Sequence, residues 1–384
     1  MKLYVFYHFI DTLKMQVAIN ARFLLPNRLE GIGRYTYEIV HRMALNHPEV
    51  TFHLLFDRPF SNKFLIAPNM MGHVLGPAAR HPWLWYYHYE VRVKRWLKQH
   101  QVDLYWGPDA FLAESPSTTK SVVTIHDLAW EHHPEWNNPR VSRFYSKWVP
   151  KYCNRANHII SISDFTGHDL VSRYGLPSNK VTTILHGYDE KKSIDRLVEW
   201  QRIPLFDPYF LALGSINPRK NSHALLKAFI ECKDEGKVTS DLVFAGVLGK
   251  GWSRKERSFI SACFRRSDVH YLGRVSESEK EALLFNAKAL VYPSLLEGFG
   301  LVLLEATQFN CPVMTSESSA CQEVLTGYTN QEGVVYIDPH SSKSIGQGLI
   351  DVESIQKGPS LERNRTWDEV ARELWEVLIG KINE

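Results

Sequence analysis

The sequence predicts an α/β chain of two doubly wound parallel-sheet domains, and three observations carry that prediction. Short β-rich runs alternate with longer helical patterns along the whole length: QVAINARFL, TFHLLF, VDLYW, SVVTIHD and HIISIS in the first half, then YFLALGS, DLVFAG, VHYLG, ALVYPS, PVMTS and VVYID. These runs are near-continuously apolar rather than alternating, as strands covered by helices on both faces of a parallel sheet must be. A length of 384 residues exceeds what one core usually serves, and typical domain sizes suggest two domains of roughly 180 residues each.

The boundaries follow from composition. HGYDEKKSIDRLVEWQRIPLFDP at 186–208 is polar, charged and proline-bearing, and it separates the last strand of one set from the first of the next. The linker is expected at about 190–205, with an N-terminal domain over 1–190 and a C-terminal domain over 204–365. The closing segment, 366–384, reads as an amphipathic helix with Trp367, Val370, Leu374 and Leu378 on one stripe. At the other end, MQVAINARFLL from Met15 looks like the first strand, so residues 1–14 have no evident place in the sheet and are expected to be dispensable.

Composition excludes several classes. Hydrophobic residues at 44% and aromatic residues at 12% suffice for sizeable cores and argue against disorder. The net charge of +3 is too weak for a nucleic-acid binder. It is also unevenly spread: through Leu205 there are 25 Lys and Arg against 18 Asp and Glu, and the remainder is acidic. A basic first half suits an anionic lipid or acceptor as well as it suits a plainly solvated surface. Five scattered cysteines without a CxxC pair suggest neither a disulfide framework nor a zinc site. No apolar run approaches the roughly 20 residues of a membrane span, and the N-terminus lacks the features of a signal peptide. A cytoplasmic location is expected, with peripheral contact at the inner face of a membrane as a further expectation.

The chemistry concentrates in YPSLLEGFGLVLLEATQFNCP, from Tyr292 to Pro312. It reads as strand, glycine turn and helix, the arrangement in which backbone amides and a helix start approach phosphate at the carboxyl end of a sheet. Gly298 and Gly300 permit close approach; Glu297 sits in the turn and Glu305 about two helical turns on, so that both acids can face one cleft. Helix capping plus a solvated Glu is the plainer alternative. In FLALGSINPRKN, a strand ending at Gly214 is followed by Arg219 and Lys220 on a turn, adjacent cations suited to a diphosphate. An ordinary basic turn would look the same.

Other motifs are weaker. LEGIGRYTYEI places Gly31 and Gly33 before a helix but lacks the third glycine of a dinucleotide fingerprint. It remains either a helix start or a turn where a substrate nears the backbone. GVLGKGWS lacks the ending of a P-loop and reads as a loop after a strand. VVTIHDLAWEHHPEW puts His126 and Asp127 at a strand end, with His132 and His133 beyond. The spacing does not complete a metal site, and a strand-end His facing a substrate is the better reading, beside that of a core histidine. HPWLWYYHYEVRVKRWLKQH interleaves aromatics with Arg92, Lys94, Arg95 and Lys98; it fits a membrane-surface helix and, better, a packed helix with a cationic outer face.

Taken in order, EGIGRYT, TIHDL, SISDFTGHDL, ILHGYD, LGSINPRKN, YLGRVSESE and YPSLLEGFGLVLLEA resemble the retaining glycosyltransferases of family 4, the group 1 sugar-nucleotide transferases, over about residues 15–380. The resemblance implies the GT-B architecture, two Rossmann-like domains facing across a cleft, and transfer of a sugar from a nucleotide diphosphate to an acceptor hydroxyl with retention. By that resemblance Glu305 would hold the ribose, Arg219 and Lys220 the diphosphate, and Glu297 the sugar hydroxyls. Amides near Phe299, Gly300 and Leu301 would hold phosphates and sugar, with Gly214 also on the donor side. His126 matches the cleft histidine beside the donor sugar, and Gly31 and Gly33 the loop near diphosphate and acceptor. The last helix resembles a segment that braces the first domain.

No Asp-x-Asp triplet occurs in the chain, so metal-independent activity without a further cofactor is expected, and no covalent nucleophile is assigned. Asn310 stands where the family usually has glycine, and Cys321 and TGYTNQEG depart from its pattern near the nucleotide base. GDP-mannose is the leading expectation for the donor, with UDP-glucose, UDP-galactose or a dTDP-sugar behind it, and a saccharide or lipid-linked acceptor in cell-surface polysaccharide synthesis. A silent nucleotide-sugar-binding paralogue and a sugar-nucleotide epimerase are the alternatives on the same fold.

Overall fold

The computed structural model describes residues 15–26, 29, 31–188, 208–363 and 365–383. The expected linker and residues 1–14 lie outside the described residues. The first sheet has seven strands: β1 (Gln16–Asn20), β2 (Thr51–Phe56), β3 (Met70–Val74), β4 (Leu104–Gly107), β5 (Lys120–Ile125), β6 (His158–Ser161) and β7 (Val181–Thr183), in the order β3-β2-β1-β4-β5-β6-β7. The second has six: β8 (Tyr209–Leu213), β9 (Asp241–Ala245), β10 (Val269–Gly273), β11 (Ala289–Tyr292), β12 (Val313–Ser316) and β13 (Val334–Ile337), in the order β10-β9-β8-β11-β12-β13, every pair parallel.

All the apolar runs of the sequence become strands. β3 and β7 were not foreseen: both are edge strands, and their half-exposed residues lack the continuous apolar pattern that marks a central one. Alternation along β8 divides the second core in two. Phe210 and Ala212 face one side with Leu225, Phe229, Leu349 and Val352, while Tyr209, Leu211 and Leu213 face the other with Leu283, Leu303 and Leu325.

By Cα proximity the chain divides into two compact units. One comprises the chain up to Thr124 with Lys151–Ile159 and the chain from Ala371 onward; the other comprises Ile125–Pro150 and Ile160–Val370. Within the first, the helix of residues 82–100 contains a π-helical stretch at His88–Val93. Tyr89, Val93, Trp96 and Leu97 are buried while Arg95 and Lys98 are exposed, so its inner face packs as expected of a helix with a cationic outer side. The last helix, Trp367–Asn383, buries Trp367, Val370, Leu374 and Leu378 as its periodicity predicted. Its Trp375 stacks on His47 with ring centroids 4.2 Å apart. No described helix is long and apolar enough to cross a membrane. The five cysteines are free and buried.

Strand order reverses beside β1 in one sheet and beside β8 in the other, and such switch points open a crevice at the carboxyl ends of the strands. In the first sheet that place is filled. Asn20 ends β1, and its Nδ2 donates to Asp109 Oδ1, just beyond β4, at 2.5 Å and to the Tyr89 hydroxyl at 2.7 Å. The Arg22 guanidinium lies 3.4 Å from Asp109 and over the rings of Phe111 and Phe23. Because both charges are buried, removing one strands the other. Asp109→Ala is expected to cost about 3–5 kcal/mol of unfolding free energy. The double change Arg22→Met/Asp109→Leu should recover most of that loss in a denaturant titration.

Candidate glycosyltransferase site

At the second switch point the loops after β8 and β11 meet. β8 ends at Leu213, and after Gly214 the chain makes a single 3₁₀ turn, Pro218–Lys220. Pro218 presets the first position of this turn, and Asn217 caps it by accepting from the Lys220 amide at 3.1 Å. Asn221 then takes a left-handed φ of 56°, which turns the chain into the helix Ser222–Asp234. This local path lifts Arg219 and Lys220 together off the end of the sheet. Because β8 and β11 are neighbours, the loop after Tyr292 lies against that turn, and the Leu295 amide donates to the Arg219 carbonyl at 2.9 Å.

Glu297 is thereby placed between the two cations. Its Oε2 accepts from Arg219 Nη1 and its Oε1 from Lys220 Nζ, both at 2.7 Å. Its backbone amide donates to Ser319 Oγ at 3.2 Å. Lys220 also donates to the Tyr292 hydroxyl and lies over that ring, 4.1 Å from its centroid. Burial alone would push the Glu297 carboxyl up, but the Arg219 and Lys220 charges outweigh it and hold its pKa at about 2. Burial lowers the Lys220 pKa, with Glu297 opposing the shift. The Cys321 thiol is pushed up to about 12 by burial and by the Glu297 charge, so it is inert.

The sequence reading foresaw the acid and the cations as separate contacts for a ligand. In the structure they are one neutralising cluster with a single net positive charge. Side-chain exposure separates its members: 29% for Arg219, 14% for Lys220 and 6% for Glu297. Arg219 is the most accessible of the three to an incoming anion.

The glycine turn explains the position of His126, one residue past β5. A Cβ on Gly298 would lie 1.9 Å from the His126 carbonyl oxygen, so the two backbones touch there and only glycine fits. That carbonyl also accepts from Thr166 Oγ1 at 3.4 Å. Gly300 takes φ +99° and starts the helix Leu301–Thr307. The Phe299 side chain is buried, stacked on His186 with centroids 4.7 Å apart. Asn310, where the family usually has glycine, adopts φ 49°, a left-handed conformation that asparagine tolerates.

Glu305 is held elsewhere: Lys280 Nζ donates to it at 2.6 Å. The two acids of the motif therefore have different partners. Gly31 caps the helix Ile32–Asn46, with Gly33 buried in its first turn; both belong to the first unit. His132 is engaged by Asp169 at 2.6 Å and His133 by Glu135 at 2.9 Å. Among the described residues no three His, Cys, Asp or Glu side chains are grouped to hold a metal ion.

Three participants were not singled out from sequence. Tyr292 stood in the quoted motif but read only as strand. Ser319 occupies a positive φ of 59° in a segment with no turn signal. Lys280 follows directly on the capping box formed by Ser276 and Glu279, a pattern that could have located it at the helix start.

Two doubly wound parallel sheets of this kind are the architecture of a GT-B glycosyltransferase. Comparison with known proteins agrees. A model of Glycosyltransferase Family 4 matches residues 29–192, and a model of Glycosyl transferases group 1 matches residues 194–374. The chain is 26% identical over 359 residues to the O-antigen chain mannosyltransferase B of Escherichia coli, covering 89% of this chain and 90% of that protein. It is 25% identical over 338 residues to the O-antigen chain mannosyltransferase RfbU of Salmonella typhimurium, covering 85% and 88%. The crystal structure of a glycosyltransferase from Rickettsia africae superposes with a TM-score of 0.63 at 13% identity, over 97% of this chain and 100% of the other. The chain belongs to the group 1 glycosyltransferases.

Two measurements test this geometry. Gly298→Ala must push the glycine turn off the His126 carbonyl, with an expected loss of about 1–3 kcal/mol in unfolding free energy and a fall in transfer activity. Glu297 contributes stability through a depressed pKa, so its contribution is full above its ordinary value of 4.5 and fades as pH falls toward about 2. Thermal unfolding of the wild type should lose stability across that window more steeply than Glu297→Gln.

Proposed function

We propose that this glycosyltransferase moves mannose from GDP-mannose, with retention and without a metal ion, onto a saccharide or lipid-linked acceptor of a cell-surface polysaccharide. The observation that carries the reading is the cluster of Arg219, Glu297 and Lys220 at the switch point. In the transfer the bond between the anomeric carbon and the diphosphate oxygen breaks, its electron pair staying on that oxygen. The acceptor oxygen bonds the same carbon on the same face, and its proton passes to the departing diphosphate. Charge therefore grows on the leaving group, where Arg219 and Lys220 are already fixed and need no rearrangement to meet it.

Further roles rest on the family pattern. Glu305 takes the ribose, Glu297 a sugar hydroxyl through its remaining lone pairs, and the amides of Phe299, Gly300 and Leu301 the phosphates and sugar, with Gly214 beside them. His126 lies by the donor sugar, and Gly31 and Gly33 near the diphosphate and acceptor. The choice of mannose is supported by the names of the two E. coli and Salmonella relatives, both O-antigen mannosyltransferases. Peripheral membrane contact is supported by Trp83, which is 64% exposed on the helix that carries Arg95 and Lys98.

Calorimetry with GDP, UDP and dTDP in EDTA tests the reading. GDP should bind in preference to the others, and Arg219→Ala should weaken it by roughly tenfold to a hundredfold, as expected for loss of charge-assisted hydrogen bonds. Turnover with GDP-mannose should persist in EDTA and give an α-linked product by NMR. Absence of nucleotide binding, or a product of inverted configuration, would defeat it.

A further inference from the structure

A cavity of about 390 Å³ opens beside Arg219, lined among others by Asp127, Trp130, Trp136, Asn137 and Tyr145, all in the second unit. Its aromatic wall is built in layers. Trp130 and Tyr145 stack with ring centroids 4.7 Å apart and planes 23° apart. Trp136 lies flat on His133, 3.9 Å away and 9° from parallel. Trp130 is nine-tenths buried, and its indole N–H has no hydrogen-bond partner among the described residues, so packing alone fixes this ring. Trp136 and Tyr145 are only partly covered. The lining also has polar groups. Asp127 accepts from the Ala129 amide through Oδ1 at 3.0 Å, which fixes the carboxylate, and Asn137 adds an exposed carboxamide.

Flat aromatic faces and hydrogen-bonding groups lining one cavity match a pyranose, which has apolar C–H faces and a rim of hydroxyls. The volume lies near the small end of ligand pockets, suited to a mono- or disaccharide. The lining also carries two cations, Arg219 and Lys250, beside the acid Asp127. We infer that this cavity is a saccharide subsite that holds the terminal hexopyranose of the acceptor, with Trp136 and Tyr145 against its face and Asp127 on a hydroxyl. That assignment as the acceptor's place rests on the proposed transferase reading, because Arg219 would then hold the donor diphosphate at the cavity's edge.

The test is titration of the full chain, without donor, with methyl glycosides and linear disaccharides of mannose, glucose, galactose and N-acetylglucosamine, read by tryptophan fluorescence and calorimetry. At least one should bind, and Trp136→Ala should weaken it by about tenfold, the scale of one aromatic contact. Asp127→Asn keeps the acceptor oxygen for the Ala129 amide and should weaken the same sugar. Failure of every sugar to bind, binding that ignores both substitutions, or competition by GDP would overturn the subsite. Sugar binding that depends on Trp136, in a protein that binds no nucleotide, would keep the saccharide site and remove the transferase reading instead.

Discussion

The second sheet and its site depend on one interaction, the burial of Glu297 between Arg219 and Lys220. These cations leave the end of β8 and the acid leaves the end of β11, so their contact lines the crevice that parallel winding opens between the two strands. Burying a carboxylate is costly, and this one stays charged only because two donors on the same short turn face its two oxygens. The local chemistry of that turn therefore matters beyond its length. Asn217 as cap and Asn221 in a left-handed conformation set the direction of both cations. Ser319 and Tyr292 fix the acid and the ammonium from the other side.

The two sheets share a topology but use their switch points differently. In the first, Asn20, Arg22, Asp109 and Tyr89 engage one another, and the Arg22 side chain is only 5% exposed. In the second, Arg219 keeps 29% of its surface. A switch point supplies a crevice, but side-chain burial decides whether a ligand can use it. By that criterion the loop after β8 leaves a cation accessible, whereas the polar residues at the end of β1 serve the fold.

Much of this was legible because its signals are local. An apolar run such as YFLAL can hardly be other than a buried strand, and the stripe of Trp367, Val370, Leu374 and Leu378 follows from helical geometry. Edge strands escaped for the converse reason: MMGHV and VTT are half-solvated, so their sequences carry no clear period. The candidate site was legible as residue types and only partly as contacts. Which oxygen of Glu297 meets which cation depends on strands far apart in sequence lying side by side, and that Lys280 holds Glu305 depends on two helices meeting. No single-chain pattern encodes that pairing.

The same reasoning shows why the glycine turn is less forgiving than its surface position suggests. Gly298 touches the backbone at His126, so the turn carrying Glu297 is positioned by that contact as well as by its own strand. A substituent there would displace backbone against backbone, which no side-chain rotation can relieve. The acid would move with the turn, and two cations preset for it would face a misplaced partner. Site geometry and packing are thus one constraint at this residue, and a change that added only a methyl group would act on both.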